Sequence, residues 1–72
     1  MVKNIPVGEV IVRFLKESKT PLSTYEIAKK ASISWSTANT HCYKLKDEGI
    51  IDGKLEMADV GASKKMLWWI IK

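Results

Sequence analysis

Apolar residues recur along this chain at helical spacing through its first two-thirds and form an unbroken run near its end. From about Ile5 to Ser18, the residues Val7, Val10, Ile11, Phe14 and Leu15 share one side of a helix, with Glu9, Arg13, Lys16 and Glu17 outside. Val12 lies off that stripe and hints at a second contact surface. Pro6 suits the first turn. Lys19 to Leu22 interrupts the pattern, and Pro21 with Leu22 suits a minimal extended edge. Ser23 followed three residues later by Glu26 has the form of a capping box, flanked by Leu22 and Ile27 at the two positions of a hydrophobic staple. Ile27, Ala28 and Ala31 then form the inner face of a short second helix, with Lys29 and Lys30 outside.

A third helix follows after only a few residues, so the two must pack at a steep angle. It runs from Ser34 to Glu48. Ser34 is a good N-cap, Gly49 suits the left-handed residue that ends a helix, and Ile50 is placed to fold back on Leu45. Ala38, Cys42 and Leu45, four and three apart, make a small apolar inner stripe. Ser36, Thr37, Asn39, Thr40, Tyr43 and Lys44 point elsewhere. A merely solvated surface more often carries Lys and Glu. This row of short hydrogen-bonding groups suits a groove of DNA instead.

After Gly49 the period changes. Ile50 to Met57 is expected to be a strand with a weak spot at Gly53, Ala58 to Lys65 a loop, and Met66 to Ile71 a closing strand. Together they make a hairpin with a long basic tip bearing Lys64 and Lys65. In the closing strand Met66, Trp68 and Ile70 face one way and Leu67, Trp69 and Ile71 the other. A hairpin covering three helices needs only one apolar face. The surplus face points to a subunit or partner interface, and so to a homodimer.

Size and charge narrow the field. Seventy-two residues make a single domain over 1–72. A chain this short buries only about 60% of the surface it exposes when unfolded, so it needs a regular core or a partner. An apolar content of 46% argues against disorder. No apolar run is long enough to span a bilayer and no signal-peptide pattern opens the sequence, so the expected location is the cytoplasm, with no membrane partner. Twelve basic residues against eight acidic ones give a net charge of +4, a bias toward polyanions. Arg13 is the only arginine. Lysine is a point charge suited to phosphate, whereas arginine is the usual reader of guanine, so this charge argues for backbone contact.

Candidate chemistry is sparse. Cys42 is the one cysteine, which excludes an internal disulfide and a cysteine-based metal site, and its inner position marks it as a small buried hydrophobe. His41 stands without a second ligand nearby. No nucleophile elbow, glycine-rich phosphate loop or paired acids occur, so neither an enzyme nor a cofactor is expected. Trp35 is expected to cover the edge of the core, with stacking on a sugar or a partner protein as its other use. Ser23 and Thr24 could meet a phosphate, although capping alone accounts for them.

Helix, short strand, helix, helix and hairpin is the order of a winged helix-turn-helix, an α+β fold of three helices and a C-terminal two-stranded wing. The resemblance reaches single residues at Ala28, Ile33, Ser34, Thr37, Leu45, Gly49, Ile50 and Ile51, which are similar in register to repressors of the multiple-antibiotic-resistance and arsenic-sensor types. It covers about Thr24 to Ile51. The chain departs from them in carrying Ser32 where the turn usually has glycine, and in lacking an arginine in the third helix. A weaker resemblance, to Z-DNA-binding winged helices, lies in Asn39, Tyr43, Leu45, Gly49 and Trp68, where the tryptophan would pack on the tyrosine. The prolines before that tryptophan and the basic residues of that family's helix are missing.

The resemblance implies a dimeric DNA-binding regulator. Ser34, Ser36, Thr37, Asn39 and Thr40 would lie near base edges of double-stranded DNA, with Asn39 the best base reader. Tyr43, Lys44, Lys64 and Lys65 would hold phosphates, with the 58–65 wing on the backbone or minor groove. No small-molecule effector is implied. A winged-helix module that binds protein through its tryptophan-rich strand is the rival expectation.

Overall fold

The computed structural model describes residues 5–57 and 64–71. Helix α1 spans Val7–Glu17, strand β1 Leu22–Ser23, helix α2 Thr24–Ala31, helix α3 Trp35–Asp47, strand β2 Ile51–Met57 and strand β3 Lys64–Ile70. Pro6 is the N-cap of α1 and not part of its first turn: its carbonyl accepts from the amides of Glu9 and Val10. Ile11 and Leu15 are buried, and Val12 packs against the core, whereas Val10 is only half-buried and stands apart from it. The apolar stripe of α1 is therefore rotated toward α3, and that rotation accounts for the off-stripe valine.

The capping box forms as the sequence predicts. Glu26 N–H donates to Ser23 Oγ at 3.1 Å, and Ser23 N–H donates to Glu26 Oε1 at 2.9 Å. Helix α2 stops at Ser32, which adopts φ 58, ψ 44. The amides of Ser32 and Ile33 close back onto the carbonyls of Lys29 and Ala28. Helix α3 ends in the same way at Gly49, φ 78, with Gly49 N–H on Lys46 O and Ile50 N–H on Leu45 O. Two helices thus end in left-handed turns of the same hydrogen-bond pattern, one on glycine and one on serine.

The sheet is antiparallel with order β1-β3-β2, so the last strand lies in the middle. Leu22 pairs with Trp68 on one edge and Gly53 pairs with Trp68 on the other. Trp68 is fully buried and is the largest such side chain in a core that includes Ile11, Ile27, Ala38, Cys42 and Ile51. A Cβ on Gly53 would overlap the Trp68 ring, at 2.6 Å from Cζ3. What reads as a weak spot in the sequence is the space the indole occupies. Lys64 and Lys65 lie within β3, opposite Met57 and Glu56, and not in the hairpin tip as expected. The strand pairing extends two residues beyond the apolar run. The rest of the expected tip, residues 58–63, and the loose tail at residues 1–4 fall outside the described residues. Three helices followed by an antiparallel hairpin against them make this a winged-helix fold.

Candidate nucleic-acid interface

Helix α3 is anchored by its inner stripe: Ala38 and Cys42 are fully buried and Leu45 nearly so. Burial pushes the Cys42 thiol up to about 12, which keeps it protonated and inert. With that stripe inside, the remaining faces of α3 are turned outward. Ser34, Ser36, Thr40, Tyr43 and Lys44 are exposed, and Thr37 and Asn39 are half-buried. The described strands of the hairpin do not cover this row.

The outward residues do not form one surface. Asn39 and Tyr43 line a groove of about 540 Å³ between α3, the start of α2 and the hairpin. Lys64, Lys65, Met66 and Leu55 form its hairpin side, and Trp35 and Tyr25 complete it. Ser36, Thr37 and Thr40 instead line a shallow depression with His41 on the next face of the helix. Lys44 is farther round, with His41 and Glu48 in a groove of about 410 Å³ against α1. Ser34 is occupied by its capping role: its Oγ accepts from Thr37 N–H at 3.1 Å and its hydroxyl donates to Thr37 Oγ1 at 2.9 Å. The Ser23 and Thr24 side chains are buried and engaged as well, Ser23 with Glu26 and Thr24 with Trp68.

Trp35 departs from expectation. It is 54% exposed and does not belong to the core, whose edge it was expected to cover. Trp35, Asn39 and Tyr43 are four residues apart, so they form one stripe along the hairpin side of α3. That spacing is legible in the sequence one step back from Asn39. Tyr25, 64% exposed in the first turn of α2, carries no comparable signal.

Tyr43 is fixed from beneath. Its ring meets Trp68 edge-on, with centroids 5.1 Å apart and planes at 87°. Trp68 in turn donates its Nε1–H to Thr24 Oγ1 at 2.8 Å. A chain of contacts therefore runs from α2 through the central strand to the exposed tyrosine of α3. Among the described residues the groove lining carries two lysines and no acidic residue, so their field favours anions. Among the described residues, no three His, Cys, Asp or Glu side chains come together to hold a metal ion. No described helix is long and apolar enough to cross a membrane.

No curated protein matches the chain. The family model described as an HTH domain matches residues 9–58, which takes in nearly all of α1, the α2–turn–α3 unit and the first wing strand. The two helices joined by a short turn, the outward polar face of the second and the match over most of the sequence agree: the chain belongs to the helix-turn-helix domain family and is a DNA-binding domain.

Proposed function

We propose that this domain binds double-stranded DNA with a sequence preference, as a small transcriptional regulator, with α3 in the major groove. The observation that carries this reading is the outward polar face of α3, whose hairpin-side residue Asn39 shares a groove with Lys64 and Lys65. Asn39 reads a base edge, with Ser36 and Thr40 beside it on the outer face, and Lys44, Lys64 and Lys65 neutralise phosphates. Ser34 and Thr37 contribute through the helix start they hold together. The hairpin rests on the backbone or minor groove. The protein acts as a dimer through the outer face of β3, where Leu67 and Trp69 are only half-buried, together with Ile71 just after the strand, which is 53% exposed.

A salt titration with duplex DNA tests the reading. Affinity should fall steeply as salt rises, because each neutralised phosphate releases counterions. Asn39→Ala should cost about 1–3 kcal/mol at one base position and relax preference there, while Lys64→Ala should weaken all sequences alike and reduce the salt slope by about 1. No binding in dilute salt would favour the rival protein-binding module. Identical behaviour of the two variants would remove the division between reading and anchoring.

One observation favours a second reading. The edge contact of Tyr43 on Trp68 is the arrangement that the resemblance to Z-DNA-binding winged helices implies. On that reading Asn39 and Tyr43 meet a left-handed duplex, and the protein inverts the circular dichroism of an alternating GC duplex. An unchanged spectrum at saturation would exclude it.

A further inference from the structure

The groove between α3 and the hairpin has more aromatic surface than base-edge reading requires. Trp35 is 54% exposed, Tyr43 44% and Tyr25 64%, and all three line the same groove. In a duplex the bases are stacked and present only their edges to a protein, so an exposed ring finds no base face to stack on. An unpaired base does offer that face. Along α3, Trp35 and Tyr43 each lie about 6 Å from Asn39 in axial rise, which puts an amide between two aromatic side chains. Stacked bases repeat at about 3.4 Å along a strand. Bases that follow this stripe must therefore be separated from one another. The groove, about 540 Å³ in volume, is open along the helix, and Lys64 and Lys65 supply positive charge to its lining.

We propose that this groove holds an unpaired segment of single-stranded DNA, with a base stacked on Trp35 over Asn39 and its phosphates against Lys64 and Lys65. The inference rests on the nucleic-acid reading of the site and specifies the form of the strand that occupies it. Tyr43 is the second platform, steadied by its contact with the buried Trp68. Because every base has a face to stack, this mode is tolerant of sequence, unlike the edge contacts of Asn39 in a duplex.

The test is a titration of the full chain with a ten-residue oligothymidylate, which neither pairs nor folds on itself, beside a duplex of the same length, both in dilute salt. The oligothymidylate should bind and should compete with the duplex. Trp35→Ala should weaken it by about ten-fold or more while Trp35→Phe retains most of the affinity, as expected when a stacking face is removed or kept. Trp35→Ala should weaken the duplex by a clearly smaller factor than the oligothymidylate, because a duplex offers the indole no base face. Trp35 is exposed, so both variants are expected to fold, and a far-ultraviolet spectrum checks it. Duplex binding without oligothymidylate binding overturns the proposal and leaves the double-stranded reading intact. Equal losses for both ligands in Trp35→Ala also overturn it, since Trp35 would then touch a feature common to both. Binding of neither ligand defeats the nucleic-acid reading itself, and the proposal with it.

Discussion

Thr24 holds the centre of the molecule with one hydroxyl. Its Oγ1 accepts the indole N–H of Trp68, and the two residues are 3% and 0% exposed. Removing the acceptor leaves a buried donor without a partner, which costs about 1–3 kcal/mol. Thr24→Val keeps the shape and should lower stability by that amount, read as a lower midpoint in urea, with a smaller Tyr43-dependent contribution to binding. Cys42 offers a second measurement. Its thiol is raised from 9.0 to about 12 by burial, so the folded chain keeps a proton that the unfolded chain loses first. Any stability this proton contributes is present below pH 9 and is lost as pH rises toward 12. Thiol reagents at neutral pH should accordingly modify Cys42 at the rate of unfolding, whereas fast labelling of the native protein would show that the stripe is open. Neither the threonine–tryptophan bond nor the void at Gly53 is legible in the sequence, because both depend on strand register across forty residues or on a cross-strand neighbour.

The elements themselves follow closely from local chemistry. Ser23 with Glu26, and Ser34 with Thr37, start two helices by bonds that span three residues, so sequence spacing alone predicts them. Gly49 and Ile50 end α3 by an equally local rule. The α2 stop is where local rules fall short, since Ser32 takes a backbone conformation that glycine prefers. A left-handed residue with a Cβ costs roughly 1–2 kcal/mol, partly offset because glycine loses more freedom on folding. Ser32→Gly should therefore raise stability by about 0.5–1 kcal/mol, seen as a higher thermal midpoint with DNA affinity unchanged. A loss of stability would mean that the Ser32 side chain supports the turn. The exposure of Trp35 is likewise not set by local sequence. A large aromatic at a helix start packs or projects according to whether the neighbouring element reaches it, and β2 and β3 pass on the far side of a groove.

At the scale of the molecule, the polar face of α3 and the apolar outer face of β3 are separate surfaces. Met66 and Ile70 pack against the core with Trp68, whereas Leu67 and Trp69 lie outside it. Trp69 also borders a groove with Pro21, Thr20 and Lys19. Trp69→Ser should therefore convert a dimer to a monomer in sedimentation at micromolar concentration, with the helical spectrum retained. A monomeric parent protein would dispose of the proposed interface. The winged-helix architecture was legible from periodicity and punctuation, but the order of strands was not, because alternation tells which face is buried and not which strand is a neighbour.

That order has a consequence for synthesis. A ribosome delivers α1, α2 and α3 before the strand that lies between β1 and β2, so the growing chain must wait for its keystone. Until Trp68 has emerged, Leu22 and Ile51 have no strand to join, and three helices are left around an unfilled centre. Folding of this domain is thereby postponed until β3 has emerged, and DNA binding should begin only with chains long enough to include that strand.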